Sequence, residues 1–169
     1  MATTYTLISS ATVGSGGTSS IDFTSIPQTY TDLLLCHTIR ESGNTSTAKL
    51  TFNNNTSNYE ARWIRAKSTG VNSASSGSIG FIDTPIPFSS TTANTFGNVQ
   101  IYIPNYTSSN YKSVSVDSVL EDNSSNWYLF LIAGIWSNTS AINQITLTQQ
   151  DGATFVQYST AYLYGISNA

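Results

Sequence analysis

Asn126-Trp127-Tyr128-Leu129-Phe130-Leu131-Ile132-Ala133-Gly134-Ile135-Trp136 is the longest apolar run in the chain, and two of the three tryptophans stand near or at its ends. A membrane-spanning helix needs ~18 or more apolar residues, so the run is too short for one. As a strand, it places Trp127, Leu129, Leu131, Ala133 and Ile135 on one face. Tyr128, Phe130, Ile132, Gly134 and Trp136 fall on the other, because side chains alternate with period two. Both faces are apolar, which marks a central strand covered on both sides rather than one with a solvated face. The expectation is that Trp127, Leu129, Leu131 and Ile135 enter the domain core. Tyr128, Phe130, Ile132 and Trp136 are then left for a neighbouring subunit, with Tyr158, Tyr162 and Tyr164 of the last strand alongside. The loops around 69–77 and 85–90 are the competing cover, and they are poor in large hydrophobics.

Outward from this run, helical periodicity is absent and short alternating segments are punctuated by Gly, Asn, Ser and Pro. Strands are expected over 4–13, 20–23, 31–40, 47–52, 59–66, 78–83, 96–103, 112–120, 127–136, 143–148 and 155–166. Residues 69–77 are expected to form an exposed loop. Asn53-Asn54-Asn55 is a turn, since Asn tolerates the left-handed region. Pro85 and Pro87 exclude a central strand position. Asp151-Gly152 suggests a type I′ hairpin. The pattern predicts one all-β domain over 1–169: an antiparallel β-sandwich of jelly-roll-like type, with an immunoglobulin-like sandwich as the alternative and a barrel third.

Composition narrows the function. Charged residues are only 9% of the chain, against ~25% in an average soluble domain. Ser, Thr, Asn, Gly and Tyr take their place, and 12% aromatics argues against disorder. A net charge of -3 and a pI near 4.7 argue against a nucleic-acid partner, which needs clustered Lys and Arg. One cysteine, Cys36, excludes an intrachain disulfide. The N-terminus lacks a basic and an apolar region, so no signal peptide is expected. Asn44, Asn105, Asn123 and Asn138 head Asn-x-Ser/Thr triplets and, without a secretory context, are not expected to be glycosylated.

No catalytic constellation stands out. His37 is the sole histidine and points away from Cys36 within one strand, so the two cannot form a dyad. A packed structural histidine and a small buried cysteine are expected. The carboxylates are few and scattered, and no pair signals a glycosidase. Glu121-Asp122-Asn123 lacks the spaced ladder of a calcium loop. Gly14-Ser15-Gly16-Gly17 lacks the Lys-Ser/Thr and helix of a phosphate loop. No enzyme, metal or cofactor is expected. Tyr59, Tyr106 and Tyr111 flank polar loops; strand-end sealing or subunit contact is preferred there over sugar stacking.

Five segments carry a resemblance: Ile21-Asp22-Phe23-Thr24-Ser25-Ile26-Pro27, Tyr30-Thr31-Asp32-Leu33, Ile101-Tyr102-Ile103-Pro104-Asn105-Tyr106, Ala133-Gly134-Ile135-Trp136-Ser137-Asn138 and Phe155-Val156-Gln157-Tyr158-Ser159-Thr160-Ala161-Tyr162-Leu163-Tyr164-Gly165-Ile166. Together they resemble small β-rich virion structural proteins of tailed phages, notably those of marine bacteria and cyanobacteria. The resemblance implies a virion component made in the host cytoplasm: a capsid decoration or cement protein on the outer head surface, partnered by copies of itself and by the major capsid protein. Such decoration proteins and fibres often sit on threefold positions, so a homotrimer is expected. The alternative it implies is a tail-fibre or spike module binding host-surface glycans, through Tyr59, Tyr106 and Tyr111 here. The length is expected to favour the stand-alone protein.

Overall fold

The computed structural model describes residues 4–121 and 127–167. Twelve strands make two antiparallel sheets, with no helix among the described residues. They are β1 (Tyr5–Thr12), β2 (Ser20–Phe23), β3 (Asp32–Thr38), β4 (Thr47–Phe52), β5 (Tyr59–Lys67), β6 (Gly70–Ile79), β7 (Ile82–Pro85), β8 (Asn98–Ile103), β9 (Lys112–Glu121), β10 (Trp127–Trp136), β11 (Ile145–Thr148) and β12 (Thr160–Ile166). The large sheet runs β1-β12-β3-β8-β9-β10-β5-β6, and the small one β2-β11-β4-β7. The chain is an antiparallel β-sandwich.

One cluster of buried side chains fills the space between the sheets. Leu33, Leu35, Ile101, Ile103, Val114, Val116, Ala161 and Leu163 come from the large sheet, Ile21, Phe23, Leu50, Phe52, Ile82, Ile145 and Leu147 from the small one. β9 alternates buried and exposed along its whole length, as its sequence predicts. Asn53 and Asn54 take φ of 52° and 55°, the left-handed turn expected of them. The Asn53 side chain ties this turn down, donating to the Ala141 carbonyl and accepting from the backbone N–H of Asn143 and Gln144. β7, bearing Pro85, lies at an edge, where the missing N–H costs no ladder bond.

Three expectations are corrected. First, the faces of β10 are reversed. Trp136 and Ile132 are 1% and 4% exposed and pack inside the sandwich, whereas Trp127 and Leu131 are 52% and 50% exposed on the far side. Trp136 stacks on Tyr59 (centroids 6.0 Å, interplanar 16°) and tilts against Phe52 at 5.5 Å. Gly134 shares this inner face, where a Cβ would come within 2.7 Å of Ile82 Cδ1, so the missing side chain lets β7 approach. Tyr128 and Phe130 are half-buried, stacked on each other at 6.2 Å, and share a small cavity with Ile86, Pro87 and Phe88. The 85–90 segment, judged a weak lid, therefore contributes to their cover.

Second, residues 70–79 form a strand, not a loop. β6 has no apolar periodicity because residues 71–75 are all exposed; pairing with β5 holds that stretch, and Ile79 at the end of the strand packs against the core. Third, Asp151-Gly152 does not close a hairpin. β11 pairs with β2 and β4 in the small sheet, and β12 with β1 and β3 in the large one. The turn carries the chain between sheets, and of the two residues only Gly152 has a positive φ. Phe155, expected in the last strand, makes single bridges to Thr18 and Glu41 instead.

Candidate functional site: the outward face of the large sheet

Register places the side chains of this face in rows that cross all eight strands. One row reads Leu7, Tyr164, Leu34, Tyr102, Ser115, Ala133, Arg62, Ser75. The next reads Ser10, Tyr162, Cys36, Gln100, Asp117, Leu131, Ile64, Ser73. Toward the other end of β10, Val119, Leu129, Ala66 and Val71 lie side by side, and Trp127 opposes Glu121. Two apolar patches result. One gathers Tyr5, Leu7, Tyr162 and Tyr102; the other gathers Trp127, Leu129, Leu131, Val119, Ile64 and Val71. A polar strip of Asn98, Gln100, Ser115 and Asp117 separates them.

Of the twelve large hydrophobics exposed among the described residues, these ten lie on this face; Tyr111 and Tyr158 are outside the strands. A half-exposed side chain of this size shows on the order of 80 Å², so the two patches show roughly 320 and 480 Å², together roughly 800 Å². Each is the size of the largest apolar patch on a typical monomer, ~300–600 Å² and often functional. The face also dips into a trough of about 860 Å³ lined by Leu34, Tyr102, Leu131 and Ile64, with Gln100, Asp117 and Arg62 as its polar contacts.

Tyr102 is held firmly in the trough wall. Its hydroxyl donates to Asp32 Oδ2 at 2.7 Å, and Asp32 Oδ1 accepts from the Asn105 N–H at 2.8 Å. The hydrogen bond to the Asp32 carboxylate raises the Tyr102 pKa above the ordinary phenol value, so the hydroxyl stays protonated.

The residues singled out in the sequence fall as follows. Tyr162 and Tyr164 lie on the outward face, but β3, β8 and β9 separate them from β10. Tyr158 precedes β12 with φ 71° and is highly exposed. Tyr128, Phe130, Ile132 and Trp136 belong to the inner face; Ile132 and Trp136 are buried in the core, and Tyr128 and Phe130 are half-buried beside the 85–90 segment. Tyr59 and Tyr106 are wholly buried, which removes them as sugar platforms; Tyr111 is 59% exposed. Burial pushes the Tyr59 hydroxyl up to about 12, and it accepts the Phe52 N–H at 2.8 Å.

Cys36 is half-buried on the outward face rather than in the core, and burial raises its thiol pKa. His37, on the opposite face, is fully buried, and neither ring nitrogen has a partner among the described groups. Desolvation pushes its pKa down to about 3, so it is a neutral, packed side chain at physiological pH.

Glu41 is buried, accepts from Thr45 Oγ1 at 2.9 Å, and has its pKa raised by burial and by the charge of Asp151. No group of three or more His, Cys, Asp or Glu side chains suited to a metal occurs among the described residues. No helix among them is long and apolar enough to cross a membrane. The Glu121-Asp122-Asn123 turn and Asn123 extend outside the described residues.

Sequence reasoning found the strand that builds the exposed patch but assigned the wrong face to it. The signal that could have separated the two faces is Gly134, which fits the side where another sheet closes in. Comparison with family models, curated proteins and solved structures returns no match.

Proposed function

We propose that this chain is a non-enzymatic structural protein of a tailed-phage virion. In this reading it decorates or cements the outer head surface and acts through the outward face of its large sheet. One observation carries the proposal: about 800 Å² of bulky apolar side chain is gathered on a face the chain leaves open, close to the ~800 Å² that each partner contributes to a standard interface. The resemblance supplies the setting. The low charge suits a surface whose work is contact rather than chemistry. The occupants of this face are further copies of the chain, as a trimer, together with the major capsid protein. Labelling the protein on intact virions and imaging the particles tests this. Density on the head supports the proposal, and density confined to the tail refutes it.

A second reading has its own observation. The trough lies within the ~300–1,000 Å³ range of ligand sites and joins the Tyr102 ring to Gln100, Asp117 and Arg62. A tail-fibre or spike module binding host-surface glycans would use it, rather than the tyrosines named from sequence. Strong, specific hits on a glycan array that Tyr102→Ala removes would favour that reading.

A further inference from the structure

The two sheets have four edges, and three carry features that discourage strand addition. β2 is four residues long and bears Asp22; β7 is four residues long and bears Asp83 and Pro85; β1 is broken by a bulge between Leu7 and Ser9. β6 carries none over most of its length. It is ten residues long, has no charge and no proline, and pairs only with β5. Its register irregularity lies beyond Ser76, so Gly70–Ser76 pairs regularly with Lys67–Ala61. Residues 71–75 are all exposed, with Val71 at 69%. A free row of backbone N–H and C=O groups is therefore presented with no large or charged side chain to turn a strand away.

We infer that this edge is a self-association surface, and that its occupant is β6 of a second copy, antiparallel about a two-fold axis near Ser73, the midpoint of the regular run. An uncharged strand of small residues meets its own copy without repulsion. The nearest like charges, Arg62 of one β5 with Arg65 and Lys67 of the other, would stand three strand spacings apart, at least ~14 Å, beyond the ~8 Å screening length at physiological salt. Val71 would pack near Ser75 of the partner, and the apolar patches around Leu131 and Ile64 would lie on one side of the joined sheet with the Ser73 pair between them.

The backbone contact is small. Seven residues at ~3.4 Å by a sheet ~10 Å thick give roughly 240 Å² per copy, against ~800 Å² for a standard interface. The contact is weak alone and matters where copies are concentrated, as on a capsid lattice. The inference goes beyond the proposed function, because it rests on the backbone edge of β6 rather than on the apolar patches of the outward face, and holds on a head or a fibre alike.

The test is oxidative cross-linking of single-cysteine variants in a Cys36→Ala background. Ser73→Cys should give a disulfide-linked dimer in higher yield than Val71→Cys or Ser75→Cys. Mixing the latter two should link one to the other. In sedimentation velocity, Ser73→Lys should weaken association at least tenfold and Ser9→Lys, exposed at the β1 edge and outside the outward rows, should leave it unchanged, with circular dichroism showing both folded. Absence of a Ser73→Cys dimer at any attainable concentration overturns the inference, as does association abolished by Ser9→Lys but not by Ser73→Lys. Leu131→Lys separates the two proposals: losing head attachment while the Ser73→Cys cross-link persists assigns attachment to the face and the two-fold contact to the edge.

Discussion

Trp136→Ala and Leu131→Lys form a matched test of which face of β10 belongs to the core. Trp136 is 1% exposed and touches Tyr59 and Phe52 across the sandwich. Truncating a core tryptophan costs ~3–5 kcal/mol. Its indole N–H is buried without a partner among the described groups, so removing it returns ~1 kcal/mol. The net loss is about 3 kcal/mol, a large share of the ~5–15 kcal/mol that holds a typical domain together. For a chain of this size it lowers Tm by roughly 6–12 °C.

Leu131, five residues back, is half exposed on the opposite face. A lysine there keeps an apolar stem along the surface, and the change costs no more than ~1 kcal/mol. Its effect falls on assembly: light scattering should show smaller species. Urea unfolding followed by the fluorescence of the remaining tryptophans measures both variants. If Trp136→Ala costs under ~1 kcal/mol while Leu131→Lys unfolds the chain, the reasoning is refuted.

Three further outcomes are expected. Gly165→Ala should destabilise by ~1–3 kcal/mol, because its Cβ would lie 2.3 to 2.6 Å from Tyr30 ring atoms; adding Tyr30→Ala should cost less than the sum of the single changes in urea unfolding. His37 has a folded pKa near 3 against an ordinary 6.5, so the unfolded chain binds the proton first and stability falls as pH drops from 6.5 toward 3. The loss is about 2 kcal/mol by pH 5. The raised pKa of Glu41 works in the opposite sense, costing stability as pH rises through it, so the measurement is the difference in pH slope between His37→Leu and the parent. Finally, the Arg40 guanidinium donates to Thr91 Oγ1, the Thr92 carbonyl and Thr95 Oγ1 through Nη1, and to the Thr91 carbonyl through Nη2. Arg40→Lys keeps the charge but loses this planar fork, and hydrogen exchange should speed up in the 91–95 turns with little change in the sheets.

The strands themselves were legible in the sequence because alternation is a local signal. β9 shows it directly: Val114, Val116 and Leu120 point in, and Ser113, Ser115 and Asp117 point out. The turns at Asn53-Asn54 and the edge position of β7 were legible too, since backbone preferences of Asn and Pro act within a residue or two. β10 defeated the same logic. With apolar side chains on both faces, alternation says that there are two sides but not which one meets the small sheet. That choice rests on Ile82, Phe52 and Tyr59, which come from elsewhere in the chain.

β6 was invisible because its pairing is a backbone property that Ser, Asn and Gly side chains do not announce. Asp151-Gly152 misled because a turn motif specifies local geometry, while long-range pairing decides which sheet each flanking strand joins. The candidate site followed the same division. Its residues stood within the 127–136 run, yet their convergence with Tyr102, Ile64 and Val71 exists only because register sets β8, β9, β10, β5 and β6 side by side. Sequence alone determined that the chain is a sandwich of alternating strands; tertiary pairing decided which apolar face lies inside and which is left to meet a partner.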